Sequence, residues 1–340
     1  MKWLLLLSLL LSGVVHASEV LNIYIWADDI PAEVIHQFEK DTGIKVNIAE
    51  YDSNETMYAK IKAARSSRYD IILPSSYYVE RMAREGMLEP LDTKRLSNYG
   101  NLNAQFIKPA YDPNIPHSIP YLWGVTGIFA NRQYFDPEAI SSWNDLWRPE
   151  YKGQLLLLDD AREVFSMALL ALGYSPNDTD SAHIKQAFDK LAALKPNVRV
   201  FAVEAAPSII NDADATVGMV WNGDVYQIHD ENANIDFIYP KDGFVIWSDD
   251  LAILKNAPHK ANAYKFLNYL LRADVAAKCS EYQGYATANL AGQHVLPKDM
   301  QNNPTIFPPA STLKHGQFQR DVGDEVLAVY DRYWQQLKLL

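Results

Sequence analysis

Cysteine is almost absent: Cys279 is the only one in 340 residues. An internal disulfide is excluded, so stability has to come from core burial, for which a chain of this length allows two lobes. Long apolar runs are also scarce. The run from Trp3 to Leu11 falls short of the ~20 residues that a spanning helix needs, and no later segment is long and uncharged enough, so a membrane-embedded protein is not expected. With Lys2 before it and the small-residue pattern Val15, His16, Ala17 after it, that run reads as a secretory signal peptide. Residues 1–17 are then expected to be removed near Ala17, the mature chain to begin near Ser18, and the protein to be exported. No cysteine follows the run, so nothing points to a lipid anchor.

Basic charge is in deficit. The formal net charge is −11, with 31 basic against 42 acidic residues, and the signal segment holds one of the basic ones. That balance argues against nucleic acid and against an anionic membrane surface. It suits a cationic ligand, and it equally suits plain solubility. Catalytic signatures are missing too: there is no Gly-x-Ser-x-Gly elbow, no Walker loop, no Gly-x-Gly-x-x-Gly after a strand and no His-Glu-x-x-His. His36, His117, His183, His229, His259, His294 and His315 are scattered, without zinc-ligand spacing.

Aromatic residues are plentiful, at 8 Trp, 20 Tyr and 12 Phe. The stretch from Gly218 to Leu251 shows what they could serve. Two apolar strand patterns end on Trp221 and Trp247, each followed within three residues by an acid, Asp224 and Asp249. An indole beside a carboxylate at a strand end suits a cation with an apolar body, the acid meeting the charge and the ring the carbon, with cation–π attraction of roughly 0.5–2 kcal/mol. The same residues also read as core indoles and turn or cap acids.

Along the chain, β-rich runs alternate with helical patterns, the signature of α/β layering with mainly parallel strands. Leu21 to Trp26, Lys45 to Ala49 and Tyr69 to Leu73 read as strands, with a helix between Pro31 and Gly43. Ligands in open α/β sheets bind beyond the carboxyl ends of strands, which makes Trp26 to Asp29 and Ser75 to Tyr78 candidate site loops. The apolar strand Tyr121 to Asn131 is interrupted by Gly124 and Gly127, as a crossing between lobes would be. A second α/β series follows, and the segment from Pro258 to Tyr282 reads as strongly helical.

Asp160 and Glu163, at capping-box spacing, open the helical pattern from Ala161. A helix N-terminus is expected to keep both acids ionised, whether they cap the helix, hold an ammonium, or do both. Trp143 and Trp147 read as packing residues. Tyr77 and Tyr78 could bind ferric ion, and paired acids with tryptophan platforms also occur in exported glycoside hydrolases. Both readings stay open as alternatives.

The chain resembles the periplasmic spermidine/putrescine-binding proteins of polyamine ABC transporters over essentially its whole mature length. The segments that carry the resemblance run from Tyr51 to Lys60, Pro74 to Tyr78, Ser118 to Gly124, Trp143 to Trp147, Asp159 to Phe165, Gly218 to Gly223 and Gln319 to Gly323. The resemblance implies a two-lobed α/β fold of the type II periplasmic-binding kind, each lobe a mixed, mainly parallel sheet flanked by helices. Its lobes would be residues 18–124 with 248–293 and residues 128–246 with 297–340, hinged near 125–127, 247 and 294–296. It implies a non-enzymatic periplasmic receptor, without cofactor or metal, that closes over a linear polyamine and delivers it to inner-membrane permease subunits; a monomer is the default expectation. Carried over by position, the walls are Trp26, Tyr77, Trp221, Trp247 and Tyr285, the carboxylates Asp28, Asp160, Glu163 and Asp249, and the polar contacts Ser75 and Gln319. The sequence departs from the spermidine pattern at Ala27, at Asp29, where an aromatic residue is usual, and at Val203 and Glu204, where a serine is missing. Asp224 matches the acid of putrescine-preferring members, which leaves the choice between spermidine and putrescine open.

Overall fold

A computed structural model describes residues 19–340 apart from 65–67, 108, 114–115 and 230; the expected signal segment, residues 1–17, lies outside the described residues. The chain opens with β1 (Val20–Trp26), α1 (Ala32–Thr42), β2 (Lys45–Tyr51), α2 (Asn54–Ala63) and β3 (Ile71–Ile72), a parallel unit with β1 between the other two strands. In α1, Val34, Ile35 and Phe38 share the buried face, and Gly43 ends the helix at φ 71°, its N–H donating to Glu39 O at 2.8 Å. Phe38 packs edge-on against Phe266 at 4.9 Å, and burying such a ring stabilises by about 1.5–3 kcal/mol.

The segment after β3 corrects the reading of Ser75 to Tyr78 as a loop. Ser76 begins α3 (Ser76–Arg84), which buries Tyr78, Val79 and Met82. A proline and two serines before two tyrosines hid a helix whose buried face runs through Tyr77, Tyr78, Val79 and Met82. Ser75 remains in extended backbone at its head.

β4 (Ser118–Asn131) is buried along its whole length. The second series comprises β5 (Leu155–Leu157), α4 (Ala161–Ala171), α5 (Ser181–Leu194), β6 (Val198–Phe201), α6 (Ala206–Asn211), β7 (Val217–Trp221), α7 (Asn222–His229) and β8 (Ile235–Ile238). Here β5 lies parallel between β6 and β7. β9 (Phe244–Ile253) leads back, followed by α8 (Lys260–Leu270) and α9 (Ala273–Gln283). These are two helices where the sequence pattern runs unbroken, because Arg272 turns to extended backbone at ψ 140° and its guanidinium binds Asp274 in the new first turn. The chain ends with β10 (Ala286–Thr287), the short helices α10 (Leu290–Gln293), α11 (Lys298–Gln301) and α12 (Ala310–Leu313), β11 (Gly316–Phe318) and α13 (Asp324–Leu339).

The strands form one mixed sheet in the order β2-β1-β3-β9-β4-β7-β5-β6, with β8 and β10 on β4 and β11 on β9. Every antiparallel pairing among them involves β4 or β9, and the parallel pairings belong chiefly to the flanking series. β4 changes neighbours along its length: Ser118 to Val125 pairs with β9, and Thr126 to Ala130 pairs with β7. The hydrophobic core divides accordingly. One part is built around Phe38, Tyr78 and Phe266; another, around Trp143, Phe165 and Tyr330, lies on the other side of that change. The result is the expected two-lobed α/β architecture, and no helix among the described residues is long and apolar enough to cross a membrane.

Candidate functional site

The seam between the two cores is where the sequence-predicted residues meet. Trp26 ends β1 and leans on Tyr51 at 4.6 Å. Asp249 in β9 accepts a hydrogen bond from Ser75 Oγ at 2.8 Å, and Ser75 is in turn fixed by Asn54, which donates through Nδ2 and accepts from the Ser75 N–H, both at 3.1 Å. Asn54 Nδ2 also reaches the Tyr77 hydroxyl at 3.3 Å. Burial raises the Asp249 carboxyl to about 7, against the hydrogen bond from Ser75 and with the charge of Asp250 adding to the rise. Asp29 lies close enough that burial and the Asp249 charge together push its carboxyl well above the usual carboxylate range, and its Oδ2 has no hydrogen-bond donor.

Across the seam, Trp247 packs edge-on against Tyr285 at 4.8 Å and against Trp221 at 6.4 Å. The Tyr285 hydroxyl donates to Asp224 Oδ1 at 2.7 Å, and burial raises that carboxyl to about 6 despite the bond. The glycines explain how these rings fit. A Cβ at Gly124 would stand 2.3 Å from the Trp247 ring, and one at Gly223 would stand 2.2 Å from Tyr285. Gly124 therefore does what an interrupted strand implied: it lets a ring lie against backbone. Asn222, fully buried, accepts from Val125 N–H at 3.0 Å and donates to Thr305 O at 2.7 Å, tying the crossing point of β4 to the end of β7.

The third group stands at the head of α4. Asp160 caps the helix by accepting from Glu163 N–H at 2.9 Å, but the return half of a capping box is not formed. Glu163 is buried instead, facing Thr126, and its Oε2 has no donor. The expectation that the helix N-terminus keeps both acids ionised is overturned. Burial, joined by the Asp160 charge, lifts Glu163 to about 8, and burial also raises Asp160, because desolvation of a carboxylate outweighs the fraction of a charge at a helix end.

Trp26, Asp29, Ser75, Tyr77, Asp160, Glu163, Trp221, Asp224, Trp247, Asp249 and Tyr285 thus form one ring of contacts and mutual fields around the seam. Two expected members stand apart. Asp28 is exposed at φ 52°, with its carbonyl held by Gln283 Nε2 at 2.7 Å, and Gln319 is buried against Ser166 of α4 at 3.3 Å. Trp143 and Trp147 are packing residues, as read: their indoles donate to the carbonyls of Gly243 and Lys190. Tyr77 and Tyr78 do not form a phenolate pair, since the first hydroxyl meets Asn54 and the second donates to Glu55. Sequence reasoning missed Asn54, Asn222, Gly223 and Thr126 as individual residues. The first three lie inside the segments that carry the family resemblance.

Residues 33–308 match the model of the bacterial extracellular solute-binding protein family. The spermidine/putrescine-binding periplasmic protein of Escherichia coli is 44% identical over 325 residues, covering 95% of this chain and 93% of its own. The putrescine-binding periplasmic protein of the same organism is 34% identical over 94% of this chain and 91% of its own. Among solved structures, a putative spermidine/putrescine ABC transporter protein from Listeria monocytogenes superposes with a TM-score of 0.90 at 36% identity, covering 95% of this chain and 99% of that one. By sequence and by fold, the chain belongs to the bacterial extracellular solute-binding protein family.

Proposed function

We propose that the protein is a periplasmic receptor that captures a linear polyamine, spermidine or putrescine, in the seam between its lobes and delivers it to an ABC permease. One observation carries the reading: Asp29 Oδ2 and Glu163 Oε2 are buried without a donor among the described residues, Asp29 in the field of Asp249 and Glu163 in that of Asp160, two acid pairs that would form the ends of a site walled by indoles. Buried carboxylates must either hold a proton or meet a cation. An ammonium at each end satisfies them, and the methylenes between gain from Trp221, Trp247 and Tyr285. The names of the relatives support the same ligand class and a binding role in transport, and they lend nothing to a glycoside hydrolase or a ferric-ion receptor. All the site residues named above, Asp28 and Gln319 included, belong to the proposal.

The lobes are residues 18–124 with 248–293 and residues 128–246 with 297–340. They move about 125–127, 247 and 294–296, where β4 changes partners and Trp247 sits on Gly124. Only the closed form brings both acid ends to the ligand, so binding shifts the population toward closure. The protein is expected to work as a monomer. The test is a thermal-shift series with spermidine, putrescine and cadaverine: at a hundredfold excess over Kd a ligand stabilises by about 2.7 kcal/mol. A flat series with all three refutes the reading.

A further inference from the structure

We propose that Glu80 and Arg320 are positioning residues that clasp the two cores together over the ligand and set how slowly it leaves. Neither belongs to the ring of site residues. Glu80 lies on α3, which packs into the first core through Tyr78, Val79 and Met82. Arg320 lies between β11, whose Phe318 ring rests on Phe106 and Tyr111 of the first core, and α13, which packs into the second through Tyr330 and Trp334; its N–H donates to Asn177 Oδ1 at 2.7 Å in the loop after α4. Both oxygens of Glu80 are used. Arg320 Nε donates to Oε2 at 2.9 Å and Nη2 to Oε1 at 2.5 Å, and the Asp321 N–H adds a third bond to Oε2 at 2.9 Å.

Two further ion pairs flank this fork, Arg81 with Asp324 and Arg84 with Asp321. The order of signs matters. On α3 it runs negative, positive, positive, and on the facing segment positive, negative, negative, so a slipped register sets like charges against each other. A single exposed ion pair contributes little, but a two-pronged arginine–carboxylate fork with an added backbone N–H is the strong form of the interaction.

The clasp also leads into the site. Arg162, buried between Asp160 and Glu163 in sequence, donates through Nη2 to Arg320 O at 3.4 Å, while its guanidinium lies 5.5 Å from the Tyr77 ring centre. At the head of α3, Ser75 holds Asp249. Docking α3 against residues 320–324 therefore brings the Asp249 end and the Asp160–Glu163 end of the site to their separation in one rigid movement.

This inference rests on the polyamine reading for its ligand. The experiment follows spermidine association and dissociation by stopped-flow tryptophan fluorescence in the wild-type protein, in Glu80→Gln and Arg320→Gln, and in the reversed pair Glu80→Arg with Arg320→Glu. Each single change is expected to speed dissociation about three- to tenfold with association within about twofold. The reversed pair, which restores the charge pairing but not the Asp321 N–H bond to residue 80, should recover part of the loss, and the difference should fade in molar salt, where screening reaches ~3 Å. Unchanged dissociation in both single variants overturns the clasp, as does a loss of affinity that the reversed pair fails to relieve. Wild-type protein that binds neither spermidine nor putrescine overturns the polyamine reading and the clasp with it, whereas binding of either with unaltered dissociation in the variants sinks the clasp alone.

Discussion

Replacing Asp249 by Asn tests the site where its physics is most exposed. The carboxyl is buried, accepts from Ser75 and sits in the field of Asp250 and close to Asp29, with a pKa of about 7, so at neutral pH it is about half ionised. Pairing it with an ammonium costs little deprotonation energy. Asn keeps the shape and can still accept from Ser75, so the change removes charge with little effect on packing. Truncating one partner of a buried, hydrogen-bonded charge pair costs about 2–5 kcal/mol. Asp29 remains beside the same ammonium, and its own carboxyl ionises more readily once the Asp249 charge is gone, which places the expected loss at the low end. We expect about 2–3 kcal/mol, roughly a 30- to 140-fold rise in Kd for spermidine by calorimetry at pH 7. The wild-type affinity should also rise between pH 6 and 8 as Asp249 and Glu163 ionise, and the variant should keep only the Glu163 part. A Kd within twofold of wild type, or an identical pH dependence, would falsify the placement of Asp249 against the ligand.

The raised carboxyls of Glu163, Asp249 and Asp29 also make capture release protons: calorimetry in buffers of different ionisation enthalpy should report net proton release on binding at pH 7, and none if these acids are already ionised. For the ligand-free protein the sign follows from the native state holding more protons than the unfolded chain between an unfolded carboxyl value of ~4 and the native values of about 7 and 8, so its thermal midpoint should fall from pH 5 to pH 9, and a rise over that range would contradict the assignment. Gly124→Ala puts a methyl into the Trp247 ring, an overpacking expected to destabilise by about 1–3 kcal/mol and to weaken binding by displacing the indole; a variant with unchanged melting and affinity would mean that the ring does not need that glycine.

Much of the fold was legible because period and punctuation agree with tertiary structure. β1, α1 and β2 show alternation, an apolar stripe at Val34, Ile35 and Phe38, and a terminating Gly43. The crossing strand was legible from its glycines: Gly124 leaves room for the Trp247 ring and Gly127 for the Phe237 ring, each of which a Cβ would strike. α3 was hidden by the Pro-Ser-Ser run that leads into it, and β10 and β11 by their length, since two or three residues carry no period. Within the site, residue type identified the indoles and acids but not their surroundings. Asp160 and Glu163 illustrate the limit: spacing gives a cap, whereas the absence of a donor to Glu163 Oε2 depends on Thr126 and the burial that α4 acquires only on packing. Trp221 and Trp247 read equally well as core or wall until their indole N–H groups were seen buried without acceptors.

Those unpaired groups bear on how the molecule divides its stability. The indole N–H groups of Trp221 and Trp247, Asp29 Oδ2 and Glu163 Oε2 have no partner among the described residues, whereas Asp250, one residue from Asp249, receives hydroxyl donors from Ser118, Ser248 and Tyr111 at 2.6–3.3 Å. Neighbouring acids on one strand are therefore treated differently. Asp250 takes three hydroxyl donors and holds β9 against β4 and the Tyr111 segment; Asp249 is held by Ser75 and lies in the field of Asp29, whose Oδ2 has no donor among the described residues. Each buried polar group left without a partner costs about 1–3 kcal/mol, so a ligand with a positive charge at each end, by pairing with the seam's acids, would stabilise the closed arrangement. A rigid scaffold that completes its own hydrogen bonds one residue away from a site that leaves them open does not arise from packing alone. It is the arrangement a receptor needs if ligand and closure are to stabilise each other.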